Sequence, residues 1–392
     1  MNRFVLMIAV IAVQFCATTV LADTYNSSDR TSEKTLRSDS LDEKRTIIVR
    51  TPPKFDPKKT YPVVYVLDGE WNFEYVASYL DYMMDNEVYP DVIVTGVKNV
   101  NRNRDYTPAA DPYFDDTGGA DNFLSFVEGG WIAYIDGKYP VSDERILVGH
   151  SFGGVFTLHA LFSGRDLFSA YMAFGSSVWL GDNALIKEAD AYFARDDVKP
   201  AFVYMAAGEG DGGPTTSSGE ALAARFEAQA PVSLEWAFAV TPKTDHFKNF
   251  ATGMHDAFMA LFPAWGFDAE LGARARVQGA KGVDAWFAEK QAQLGYRFKP
   301  AWFDLSIVAL GLTPDGHGES ARAIMAQLSD AYPMSPHVAA FAASVFEQNK
   351  MHEAAAASYE RAIAIAKEEG LHPNVIHLGR LERGAARNRA AE

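Results

Sequence analysis

Arg145-Ile146-Leu147-Val148-Gly149-His150-Ser151-Phe152-Gly153-Gly154 is the stretch on which the reading of this chain turns. A short apolar run leads into G-x-S-x-G, and an apolar helix-length segment, Val155–Phe162, follows it. A strand that reverses directly into a helix around a serine forces that serine into a strained backbone. Small neighbours are then required so that the chain can fold back on itself. The hydroxyl is thereby held at the carboxyl end of a sheet, beside the amino end of a helix. Runs of the same buried, β-branched kind recur on both sides: Thr46–Arg50, Tyr61–Leu67, Asp91–Val97, Phe168–Phe174, Ala201–Ala207 and Val232–Val240. Helix-length segments lie between them, at Phe73–Met84, Ala120–Tyr134 and Gly219–Gln229. Strands alternating with helices predict an α/β fold, a mostly parallel sheet covered on both faces. The polar stretch from Asp23 to about Asp42 reads as loosely ordered.

A serine hydroxyl is a poor nucleophile at neutral pH and needs a base oriented by a carboxylate. On an elbow of this kind the partners follow in the order serine, acid, histidine, each after a later strand. His246 lies in the segment after Val232–Val240 and is the candidate base. His150 and His159 sit beside and behind the serine, His255 falls in a later helix, and the remaining histidines lie far downstream. The run Ala201–Ala207 ends in Gly208-Glu209-Gly210-Asp211, which offers two acids. Glu209, directly after the strand, is preferred; Asp211 is the alternative. Asp245 is adjacent to the histidine, where backbone geometry makes it a poor orienting partner. The oxyanion needs two donors: the N–H of Phe152, and the N–H of Glu70 in the loop after Tyr61–Leu67. Gly208-x-Gly210-x-x-Gly213 also matches a dinucleotide fingerprint, but Pro214 and the polar Thr215–Ser218 run separate it from the predicted helix. No cofactor and no metal site is predicted.

Four stretches carry a resemblance: Tyr61–Gly69 (YPVVYVLDG), Val97–Pro108 (VKNVNRNRDYTP), Gly149–Gly154 (GHSFGG) and Gly175–Trp179 (GSSVW). On them, residues of about 35–262 resemble the esterase D-type branch of the α/β-hydrolase superfamily. That branch includes siderophore, feruloyl and acetyl-xylan esterases. The resemblance implies a metal-free serine esterase with a Ser–acid–His set, and it leaves Glu209 or Asp211 open as the acid. The Asn101–Tyr106 segment follows a strand end, so Arg104, Tyr106 and Trp179 are candidates to meet the substrate, with an internally bonded loop as the alternative for Arg104. Trp71, Trp131 and Trp179 either line a pocket or belong to the core.

The 392 residues carry 36 Lys and Arg against 51 Asp and Glu, a formal net charge of −15 that argues against nucleic-acid binding. Residues 1–22 read as a secretory signal, with Arg3 before an apolar stretch and cleavage expected after Ala22. The single cysteine, Cys16, belongs to that segment. The mature chain is therefore expected to be exported, periplasmic or secreted, and not membrane-bound. An esterase domain is placed at 23–266. From 267 to 392 alanine dominates and the spacing turns helical. Ala343, Phe346, Ala355, Tyr359 and Ala362 match Ala309, Leu312, Ala321, Met325 and Leu328 at a tetratricopeptide-like period. This tail offers a surface for a protein partner; the catalytic cleft would take a small-molecule ester. Two other functions remain open at this level: a non-catalytic binding protein working through the tail, and an acyltransferase using the same serine.

Overall fold

The computed structural model describes residues 27–263, 269–374 and 376–391. The predicted signal segment and the predicted boundary at 266 fall outside the described residues. Eight strands form one sheet: β1 (Thr31–Ser38), β2 (Glu43–Arg50), β3 (Tyr61–Val66), β4 (Ile93–Val97), β5 (Val141–His150), β6 (Ala170–Phe174), β7 (Ala201–Gly208) and β8 (Leu234–Thr241). Their order is β1-β2-β4-β3-β5-β6-β7-β8. β2 runs antiparallel to β1 and β4, and the other pairs are parallel. This is the mostly parallel α/β sheet expected from the alternation of strands and helices, and the α/β-hydrolase architecture that the resemblance implies.

The two faces follow from the two-residue period of a strand. Val63, Tyr65 and Leu67 point into one core with Trp131, Phe156 and Phe226. Val64 and Val66 point into the other, against Phe73, Val76, Met254 and Phe258. All six residues of β3 are buried, as a strand covered on both faces requires. Trp131 reaches its core because the helical segment 120–138 opens into a π turn at Val127–Ile132, and its indole N–H donates to Thr95 Oγ1 at 3.0 Å. Trp131 is thus core and not pocket.

Two expectations need correcting. Thr31–Ser38, read as loosely ordered, is the edge strand β1, paired along its whole length with β2. Its only large apolar residue is Leu36, so the periodicity that marks a half-buried strand is missing; the pairing comes from the exposed edge of β2. The helix predicted from Gly219 begins at Pro214 instead. Proline suits that first position, because the amide it lacks would have no intrahelical acceptor.

Beyond residue 268 the chain is helical. Helices Trp302–Leu312 and Gly318–Ala331 are followed by Pro336–Gln348 and His352–Glu368. The second pair begins 34 residues after the first at both helices. Ala309, Leu312, Ala321, Leu328, Ala343, Ala355 and Ala362 are buried at the contacts, with small residues letting neighbouring helices approach. This region rests on loops at the amino ends of the strands. Lys299 Nζ donates to the Tyr89 carbonyl at 2.8 Å, and Tyr332 Oη to the Glu87 carbonyl at 3.3 Å. Arg297 pairs with Glu235 at 3.2 Å and Lys54 with Glu369 at 3.1 Å. Ser151 lies at the opposite, carboxyl end of the sheet.

Candidate active site

The serine comes first. Ser151 has φ 60° and ψ −119°, a conformation that a non-glycine residue holds only under strain. Its N–H donates to the Phe174 carbonyl at 2.9 Å, which latches the elbow onto β6. At Gly149 a Cβ would stand 2.2 Å from the Gly153 carbonyl oxygen, so the reversal closes only with glycine there. Phe152 begins the following helix, and every residue of Phe152–Phe162 is buried. The first amides of a helix have no intrahelical acceptor, so the Phe152 N–H is free of the helix ladder.

The base is carried by a second helix. His246 is the first residue of His246–Leu261, and not part of a loop. Asp245 caps that helix, accepting from the N–H groups of Phe247 and Lys248 at 3.2 and 2.9 Å. Its carboxylate is therefore turned away from the imidazole, and the Lys248 ammonium holds its pKa below the ordinary value.

Of the two candidate acids, the structure brings Asp211 to the histidine. His246 Nδ1–H donates to Asp211 Oδ1 at 2.5 Å, and the carboxylate is fully buried. The other oxygen accepts from the Gly208 N–H at 3.2 Å. Glu209 meets something else: its carboxylate accepts from the Lys243 N–H at 2.8 Å, among exposed atoms. The preference for Glu209 is corrected by the turn that ends β7. Asp211 N–H bonds back to the Gly208 carbonyl at 3.0 Å, and this returns the third residue, not the first, to the end of the sheet. Gly175 makes room for the pair. Its φ is +54°, and a Cβ would come within 3.1 Å of both Asp211 Oδ2 and His246 Nδ1.

Facing the serine, the helix Gly69–Asp85 starts after Asp68, which is left-handed at φ 56°. Glu70 is its second residue, so its N–H also lacks an intrahelical acceptor. The Glu70 carboxylate accepts from Asn99 N–H and Nδ2–H at 3.1 and 2.9 Å. Two helix amino ends thus converge on the cleft, and their dipoles favour negative charge there.

The Asn101–Tyr106 segment is a single helical turn, and its phase decides which arginine faces the site. Residues four apart share a face and residues two apart do not. Arg102 and Tyr106 therefore turn inward while Arg104 turns out. Arg104 pairs with Glu43 at 2.7 Å and Asp105 at 2.8 Å, so it is not a substrate contact. Tyr106 is fully buried between Phe123 and Phe156, and its hydroxyl accepts from the Asp68 N–H at 3.0 Å. Trp179 packs on Phe114, which in turn stands edge-on to Phe152, and it does not line the cleft. The residue that sequence reasoning missed is Arg102. It makes two hydrogen bonds to Asp68, at 2.6 and 2.9 Å, and a third to the His150 carbonyl at 3.1 Å. One side chain thus ties the loop after β3 to the elbow. The i, i+4 spacing of Arg102 and Tyr106 was the available signal.

His150 was also passed over. Its Nε2–H donates to the His246 backbone carbonyl at 2.8 Å, and the two rings lie 4.5 Å apart. Burial, reinforced by the neighbouring His246, pushes its pKa down to about 4. The unfolded chain takes up that proton near the ordinary histidine value, and the folded chain refuses it until about 4. Stability is therefore lost as the pH falls through that window, by roughly 1.4 kcal/mol per unit of separation at most. Melting curves between about pH 7 and pH 4.5 should fall more steeply for the native chain than for His150→Gln. Parallel curves would exclude this account.

The cleft measures about 640 Å³ and is lined by Asp68, Trp71, Asn72, Arg102, His150, Ser151, His246, Phe247 and Phe250. Among the described residues no His, Cys, Asp and Glu group is arranged to hold a metal ion. None of their helices is long and apolar enough to cross a membrane.

A family model described as "Putative esterase" matches residues 38–264. The ferri-bacillibactin esterase BesA of Bacillus subtilis is 28% identical over 195 residues, 43% of this chain and 68% of that protein. The siderophore enterobactin esterase of Emericella nidulans is 34% identical over 120 residues, 27% of this chain and 39% of its own length. Among solved structures, an IroE-like serine hydrolase from Shewanella oneidensis superposes with a TM-score of 0.62 at 26% identity. That match covers 75% of this chain and 97% of the other.

Proposed function

From the premise that this chain belongs to that esterase family and is an esterase, we propose that it hydrolyses a carboxylic ester of a siderophore-type chelator through an acyl-enzyme on Ser151. In this reading Ser151 Oγ attacks the ester carbonyl while His246 Nε2 takes its proton. Asp211 keeps the imidazole in the tautomer with Nδ1–H and stabilises the imidazolium that forms. The N–H groups of Phe152 and Glu70 receive the oxyanion of the tetrahedral intermediate. His246 then protonates the departing alcohol, and water, activated by the same imidazole, releases the acid.

The observation that carries this reading is the 2.5 Å bond between His246 Nδ1 and a fully buried Asp211 carboxylate, with His246 and Ser151 lining one cleft. The substrate class rests on the relatives, whose names attach them to siderophore esters. Export rests on the hydrophobic stretch after Arg3 and the small residues before Asp23. The tail's contacts with the amino ends of the strands keep it apart from the chemistry. A fluorophosphonate probe should label the intact protein at Ser151 in equal stoichiometry, as read by peptide mass spectrometry. Labelling elsewhere, or none, would sink the mechanism.

A further inference from the structure

We propose that the helical tail carries a second ligand site, separate from Ser151, which takes a small carboxylate with a flat apolar body.

The site is outlined by two helices, Pro336–Gln348 and Leu378–Arg389, joined by the returning helix His352–Glu368 and so running in the same direction. Their carboxyl ends are tied together. Arg387 pairs with Glu347 at 2.9 Å, and His352 Nδ1 lies 2.8 Å from Asn388 Oδ1. Towards their amino ends the same helices enclose a cavity of about 450 Å³, with Trp302–Leu312 as a third wall. Small-molecule sites commonly measure about 300–1,000 Å³ and lie between helices. The tied end closes the cavity, so it suits a compact ligand better than a chain running through it.

The walls are apolar although they face solvent. Helix Trp302–Leu312 buries Leu305, Val308, Ala309 and Leu312 in the core of the tail, yet on its other side Phe303 is 53% and Ile307 41% exposed. A helix that is apolar all round is normally covered all round. Trp302 stacks on His337 at 5.3 Å with 15° between the planes, and Phe341 stands edge-on to Trp302 and Phe303, both at 6.1 Å. Tyr359 Oη donates to Glu347 at 2.8 Å, which leaves the Tyr359 ring to the cavity. Such aromatic surface gains free energy when a flat apolar group covers it.

The charge comes from Arg380, which is exposed and is the one permanent cation among the described residues lining the cavity; none of them is acidic. Its want of a partner is a matter of register. Seven residues make two helical turns, so Arg380 faces the neighbouring helix as Arg387 does. Arg387 meets Glu347 there, but two turns earlier that helix presents Ala340, which lines the cavity with Arg380. Glu382, two residues on, points to another face. Among the described residues no carboxylate pairs with Arg380, whereas Arg387 and Arg389 pair with Glu347 and Glu360. An unpaired guanidinium over aromatic walls, in a chain with 51 acidic residues, is a receptor for a carboxylate, whose two oxygens match its donors.

The test is calorimetric titration of the full-length protein with 2-naphthoate, for which a Kd below about 1 mM is expected. 2-Naphthamide, the same ring without the charge, should bind at least about tenfold more weakly, and so should 2-naphthoate to Arg380→Gln. Loss in that variant assigns the heat to the tail and not to the catalytic cleft. Ala340→Glu repeats at Arg380 the pairing of Arg387 with Glu347 and should abolish binding. Phe303→Ala should weaken it about fivefold. No binding at about 5 mM overturns the proposal, as does equal affinity for the amide or an unchanged affinity in Arg380→Gln. So does tighter binding of an acidic, phenylalanine-rich peptide, or self-association that Ala340→Glu abolishes, since either makes the cavity part of a protein-docking groove. Failure here and failure at Ser151 are distinguishable, because turnover of p-nitrophenyl acetate depends on none of these residues.

Discussion

Ser151→Ala is expected to lower kcat for a short p-nitrophenyl ester by about four orders of magnitude or more, leaving only what the oxyanion donors and binding supply. The circular dichroism spectrum should be unchanged, since Ser151 meets the fold through its backbone N–H to Phe174 and not through its hydroxyl. Ser151→Gly provides the companion measurement. It should lose the same activity yet melt higher. The positive φ of Ser151 costs about 1–3 kcal/mol in a residue with a Cβ. Glycine recovers that at an entropic cost of roughly 0.5–1 kcal/mol. A gain of about 1 kcal/mol in the glycine variant would show the elbow storing strain for the sake of the nucleophile. Turnover retained in either variant would remove Ser151 from the mechanism.

The second large effect separates the two acids. Asp211→Asn should lower kcat by about three to four orders of magnitude, because an amide at that position can no longer hold the imidazole in the tautomer that accepts the serine proton. Glu209→Gln should stay within about threefold of the native enzyme, since its partner is the Lys243 N–H on the exposed rim. KM should change little in both, as neither side chain lines the cleft. The opposite ranking, with Glu209→Gln the severe variant, would return the acid to the residue directly after β7.

These two carboxylates also measure how far sequence reasoning reaches. That an acid follows β7 and a histidine follows β8 was legible, because strand runs and their order are local patterns. Which of two acids two residues apart meets the imidazole was not. The choice depends on the Asp211 N–H closing onto the Gly208 carbonyl, a turn with no fixed signature in Gly-Glu-Gly-Asp. The same limit explains Arg102 and Arg104. Both lie in one polar segment after β4, and only the phase of the turn 102–106 turns the first toward Asp68 and the second toward Glu43. Neither β1 nor the first turn of the helix at Pro214 carries enough apolar periodicity to be read.

The stretch Arg145–Gly154, with the apolar run Val155–Phe162 behind it, determined a strand, a strained serine and a helix, and the alternation of strand runs and helix-length segments on both sides of it determined the α/β class. Those follow from steric rules acting within a few residues: burial at period two, a reversal that admits no side chain at Gly149, and an apolar helix behind it. What the tertiary structure decided is which distant groups come to that serine. Asp211, His246 and Arg102 reach the site through the hydrogen bonds of His246 to Asp211, of His150 to the His246 carbonyl and of Arg102 to Asp68. Hydrogen bonds are directional over about 3 Å, whereas the hydrophobic pattern that encodes the fold is not directional at all. The apolar pattern therefore specifies the sheet, and only the folded backbone specifies the partners.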